Sequence, residues 1–89
     1  MRFVLGLLFL ALALTINAKT IKGTVIDDIT NEPLIGATVE VEGTATGTAT
    51  DFDGSFEIEC NDGSRLVFKY VAYETVVMPA SDGMTARLR

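Results

Sequence analysis

The sequence predicts an all-β sandwich of seven short strands behind an N-terminal export signal. Three observations carry this prediction. Apolar and polar residues alternate with period two, as in Ala37-Thr38-Val39-Glu40-Val41-Glu42 and Phe56-Glu57-Ile58-Glu59-Cys60. Turn-forming clusters of Gly, Asp, Asn and Ser interrupt the alternation at short intervals. No segment after Ala18 carries a helical period of useful length.

The first 18 residues stand apart from the rest. A short basic start, Met1-Arg2, precedes an apolar run over 3–14, and Ala18 supplies a small residue before a cleavage point. Residues 1–18 are therefore expected to be a signal peptide and 19–89 the mature domain. The apolar stretch is too short for the roughly 20 residues that cross a hydrocarbon core, so no retained membrane span is expected. This segment also accounts for much of the 48% apolar content of the 89-residue chain. The remainder falls to about 41%, ordinary for one small globular domain and too little chain for a deep substrate cavity.

The strands follow in order. Residues 20–27 read as an opening strand, 37–42 as a second, and 47–51 as a short third. Residues 54–60 form a fourth with Phe56, Ile58 and Cys60 inward. Residues 65–71 and 73–78 give two more, and 84–89 the last, with Ala86 and Leu88 inward. Turns separate them at 27–33, 43–47, 53–54, 61–64 and 81–83. Pro79 cannot donate to a ladder, so it is placed at a strand end or on a sheet edge.

Charge and composition narrow the function. A net charge of −5 repels phosphate backbones and anionic lipid, which argues against nucleic-acid partners and electrostatic docking to membranes. With no histidine and one cysteine, the usual zinc ligand sets, a serine triad and an activated thiol all lack a necessary member. Cys60 reads instead as a small buried hydrophobe. Glu57 and Glu59 are a conceivable carboxylate pair, but both fall on the outward face of one strand, where nothing raises an acid's pKa. The chain is read as a non-enzyme with no cofactor.

Two features remain as candidate sites. Asp51 and Asp53, two apart and followed by Gly54, look like the start of a calcium loop. Counting from Asp51, however, glycine falls at the fourth place instead of the sixth, Asp62 stands where a bidentate Glu is needed, and a strand interrupts the run. Capping of the turn's amides by the two aspartates is the preferred reading. Phe52 in the same turn, with Tyr70 and Tyr73 flanking a bend at Val71-Ala72, forms a candidate interaction surface for a glycan or a partner protein. An open sheet edge is a second route to a partner.

Three segments then carry a resemblance: Lys22-Gly23-Thr24-Val25-Ile26-Asp27, Asn31-Glu32-Pro33-Leu34-Ile35-Gly36-Ala37-Thr38-Val39, and the run from Gly43 through Asp51-Phe52-Asp53-Gly54-Ser55-Phe56. In their order and spacing they resemble the carboxypeptidase-regulatory-like domain, over essentially all of 20–89. The resemblance implies a transthyretin-like Greek-key sandwich. It also implies kinship with the N-terminal extension of SusC/RagA-type TonB-dependent outer-membrane receptors, which import glycans or peptides in Bacteroidetes-like bacteria. In the Tyr70-Val71-Ala72-Tyr73 stretch, Ala72 stands where that family usually has glycine.

Within the resembling motifs, Pro33 fixes φ at the end of the first connection, Leu34 can plug the end of the sandwich, and Gly36 lets the chain turn into the next strand. The last predicted strand has no asparagine, so the lysine–asparagine isopeptide cross-link of some surface sandwiches is not expected. The function expected from all this is a non-enzymatic accessory domain on the periplasmic side of the outer membrane. Transport itself needs a plug and a many-stranded barrel, which 89 residues cannot supply, so a free-standing or truncated form is expected. A small secreted carbohydrate- or protein-binding module is the alternative, and attachment to a peptidase is suggested by the family title alone.

Overall fold

A computed structural model describes residues 18–89; the expected signal peptide falls almost wholly outside these residues. Seven strands form two sheets: β1 (Ala18–Asp27), β2 (Thr38–Val41), β3 (Gly47–Ala49), β4 (Ser55–Asn61), β5 (Arg65–Lys69), β6 (Val76–Pro79) and β7 (Met84–Leu88). One sheet has the order β4-β1-β7, the other β3-β2-β5-β6. All strand pairs are antiparallel except β1 with β7. Two hairpins, β2 to β3 and β5 to β6, stay within the four-stranded sheet, and the other connections cross between sheets. The predicted all-β sandwich is the observed fold.

The alternation seen in the sequence becomes the core. On β4, Phe56, Ile58 and Cys60 point inward while Glu57 and Glu59 face solvent. On β1, Ile21 and Val25 are buried, and Gly23 between them leaves the space that the Phe56 ring fills. A Cβ at Gly23 would come within 2.7 Å of that ring, so the strand needs a residue without a side chain there. Phe68 from β5 meets Phe56 edge to face with centroids 5.6 Å apart, joining the sheets at the centre. Leu66, Leu88, Val39 and Ala86 complete a fully buried layer.

Strand ends differ from the sequence reading where a side chain or a bend recruits the backbone. The third strand stops at Ala49 because Thr50 turns inward. Its Oγ donates to the Leu34 carbonyl at 2.5 Å and accepts the Ala37 amide at 2.8 Å, while its own amide donates to the Ala37 carbonyl. The predicted strands 65–71 and 73–78 shrink to 65–69 and 76–79, because the Tyr73 amide bonds back to the Tyr70 carbonyl and Glu74 donates to the Arg89 carbonyl. Pro79 closes β6, itself an edge strand, so its missing N–H interrupts no interior ladder. Ala18, assigned to the signal from sequence, opens β1 opposite Asn61.

Pairing direction sorts the connections into two groups. At one end lie 42–46, 62–64 and 80–83. At the other lie 28–37, 50–54 and 70–75, together with Arg89.

Candidate functional site

The second group builds the more elaborate surface, and Asp27 at the end of β1 is its anchor. One carboxylate oxygen accepts the amides of Ile29 at 2.8 Å and Thr30 at 2.9 Å; the other accepts the Tyr73 hydroxyl at 2.6 Å. Aspartate at the start of a turn holds the backbone two and three residues on in this way. The bond to Tyr73 ties the β1–β2 connection to the β5–β6 bend, 46 residues later. The phenol's donation, with the two amides, holds the Asp27 carboxyl below its ordinary pKa; the same bond, with partial desolvation, raises that of Tyr73. Asp27 is therefore charged at neutral pH, the reverse of what a general acid requires.

The bend is a four-residue turn over 70–73. Ala72, its third residue, has φ 71°, a conformation that glycine adopts without the steric cost an L side chain meets. The departure noted at Ala72 is thus a local strain with a defined place. Asn31, in the β1–β2 connection, is the other non-glycine residue with positive φ among the described residues, at 64°. Its side chain accepts from Arg87 at 2.8 Å, and asparagine tolerates this region better than alanine.

Tyr70 and Tyr73 come together as expected, rings 5.5 Å apart and tilted by 48°, both half-buried against the core. Two shallow grooves flank them. One runs beside Pro33, Ile35 and Tyr73, with Asp27 and Glu32 on its wall; the other beside Gly36, Lys69, Tyr70 and Val71. Phe52 is 85% exposed on the neighbouring turn and lines neither groove. That turn packs on 33–36 through Gly54, whose φ is 73° and where a Cβ would lie 2.7 Å from the Val25 carbonyl. Ile29, Ile35 and Val71 are also exposed here.

The Asp51-Phe52-Asp53-Gly54 turn corrects one detail. Asp51 caps it, one carboxylate oxygen accepting the amides of Asp53 and Ser55 at 2.9 Å each. Asp53 contributes its amide, and its carboxylate makes no hydrogen bond within the described chain, so one aspartate, not two, does the capping. Among the described residues no three potential metal ligands cluster. Glu57 and Glu59 are exposed, with nothing enclosing them.

Sequence reasoning missed Ile29, Ile35, Val71 and the role of Asp27. Alternation extends a strand to Val71, beside the bend expected at Val71-Ala72, and does not reveal the left-handed Ala72 that leaves Val71 exposed. The Leu34-Ile35 pair did carry a signal: two adjacent large apolar residues beside a turn cannot both face inward, and here Leu34 is the plug and Ile35 the exposed partner.

Residues 21–87 match the CarboxypepD_reg-like domain family. The chain belongs to this family. The chain is 39% identical over 82 residues to the TonB-dependent receptor SusC of Bacteroides thetaiotaomicron, a match covering 92% of its length. It is 42% identical over 59 residues, 66% of this chain, to the TonB-dependent receptor P26 of Formosa agariphila. The receptor P39 of the same organism matches at 36% over 80 residues. The matches span 8%, 6% and 8% of those receptors' lengths. The relatives that it matches are TonB-dependent receptors, of which it spans less than a tenth, and among its described residues no helix is long and apolar enough to cross a membrane.

Proposed function

We propose that the domain is a non-enzymatic accessory module of a TonB-dependent nutrient receptor, exported by the segment 1–18 and working on the periplasmic face of the outer membrane. The observation that carries this reading is the similarity to SusC across nearly the whole chain. The contact with receptor or envelope protein is made by the loop end that displays Phe52, Tyr70 and Tyr73. Loops held on a rigid sandwich are the usual place for such contacts.

The test is to express the tagged chain in a Bacteroides host, fractionate the cells and introduce a photo-crosslinking residue at position 52 or 71. Export with crosslinks to a TonB-dependent receptor is the expected outcome. Cytoplasmic retention, or crosslinks that map only to the 42–46 and 62–64 end, would overturn the reading.

A second reading, carbohydrate binding, has one observation in its favour: a tilted pair of half-exposed tyrosines beside a groove. The hydroxyl of Tyr73 is already committed to Asp27, which leaves the ring faces as the means of contact. Titration with oligosaccharides, followed at Tyr70 and Tyr73, separates this reading from the first.

A further inference from the structure

We infer that the loop end is built to receive a cationic, apolar-centred protein segment. The inference rests on the reading of this end as a contact surface and adds the chemistry of what it contacts. Ile29, Phe52 and Val71 are 77%, 85% and 86% exposed, and Ile35, in the same β1–β2 connection as Ile29, is 49% exposed. Of the large apolar side chains that the described domain leaves exposed, only Val77 lies elsewhere, on strand β6. Such side chains gathered at one end mark a surface that is covered in use.

Charge selects the occupant. Asp27, Asp28, Glu32, Asp51, Asp53 and Glu74 lie at this end against Arg87 and Arg89. Both arginines are engaged by Asp28, Arg89 at 2.5 Å and Arg87 at 3.8 Å, and Lys69 at the margin pairs with Glu40. Glu32, Asp51, Asp53 and Glu74 form no ion pair within the described chain. Exposed apolar side chains that share one end with unpaired carboxylates attract a segment carrying Lys or Arg beside apolar side chains. The same carboxylates repel a second copy of this acidic chain and an anionic lipid surface. A neutral glycan would donate hydroxyl hydrogen bonds to the carboxylates but gain no ion pairing, so its binding would not weaken with salt as the cationic segment's does.

Strain gives independent support. Asn31 and Ala72, the non-glycine residues with positive φ among those described, both sit in these loops. Backbone held in sparsely populated conformations gathers where a surface has a task beyond folding.

The experiment follows backbone amide shifts of the isotope-labelled chain against three synthetic peptides of equal length: alternating leucine and lysine, alternating leucine and glutamate, and alternating serine and lysine. Saturable shifts at 29–35 and 70–75 with the leucine–lysine peptide alone, weakened by added salt, are expected. Glu32→Gln with Glu74→Gln is expected to weaken that binding about tenfold, with Val71→Ser as an independent check on the apolar side chains. Both changes are at exposed side chains and leave the core intact.

Equal binding of the glutamate peptide, shifts confined to the opposite end, or no saturation would overturn the inference. Saturable binding of a maltooligosaccharide at the same amides in place of the peptide, or concentration-dependent dimerisation by sedimentation, would also overturn it. Receptor crosslinks at this end without any peptide response would remove the cationic specificity while leaving the receptor reading standing.

Discussion

The two ends of the sandwich solve the same problem, reversing the chain between strands, with different chemistry. At the 42–46, 62–64 and 80–83 end the turns are short, polar and nearly neutral: Lys19 pairs with Asp62, Arg65 with Glu42, and Asp82 accepts the Lys22 amide. At the other end the connections are longer, carry buried polar bonds and the two left-handed residues that are not glycine, and leave apolar side chains in water. The first end closes the fold with exposed polar contacts. The second adds exposed apolar side chains and the buried or half-buried hydrogen bonds that tie its connections together, the features on which the proposed contact surface rests.

Thr50 and Thr44 offer the sharpest way to break the comparison, since each bonds across a connection at its own end. Leu34→Ala comes first in size: it removes a buried plug and should cost about 2–4 kcal/mol, read from the urea midpoint. Thr50→Val should cost about 2–3 kcal/mol, because the Leu34 carbonyl and the Ala37 amide lose their partner in a buried setting. Thr44→Val, whose hydroxyl bonds the Val41 carbonyl beside solvent, should cost less than about 0.5 kcal/mol. Equal costs for the two threonines would erase the distinction between the ends.

An effect of opposite sign, between those of the two threonines in size, is expected at the bend. Ala72→Gly relieves a left-handed alanine and should stabilise by about 1 kcal/mol in the same denaturation experiment, part of the gain being offset by the freer unfolded chain. A loss of stability there would show that the strain is illusory.

The smallest expected effect is a dependence on pH at the loop end. Asp27 has a lowered folded pKa, so its contribution is complete above its unfolded value of about 4 and is lost as pH falls through the lowered folded one. Tyr73 has a raised folded pKa, so its contribution is present below about 10 and is lost as pH rises through the raised value. Carbon-detected titration should find the Asp27 carboxyl below ordinary aspartates, and Tyr73→Phe should move it upward and remove the tyrosine's share of the alkaline loss. An unchanged Asp27 titration in that variant would sink the assignment of the phenol as the main cause.

Legibility in the sequence also divided along the two ends. The strands could be read because burying one face imposes period two, and Phe56, Ile58, Cys60, Ala86 and Leu88 all face inward as that period requires. The polar turns could be read because Asn-Asp-Gly and Asp-Gly state their own geometry. At the loop end Asp51 reads as a turn cap and Leu34 as a plug, while Phe52, Tyr70 and Tyr73 stand out on residue type alone. The bond between Asp27 and Tyr73, the inward turn of Thr50 and the exposure of Val71 depend on which connections the topology brings side by side, and no local pattern encodes that.

Cys60 sits only 7% exposed on the inner face of β4, across from Lys19 on β1. A thiol shielded in this way is a built-in clock for fluctuations of the native state: a thiol reagent can reach it only when the β1–β4 edge opens. Its labelling rate, set against that of the unfolded chain, gives the free energy of that opening. Because Cys60 lies near the polar end, ligands at the opposite end that slow its labelling would show that the sandwich opens as one cooperative unit, whereas ligands that leave the rate unchanged would show two ends breathing independently.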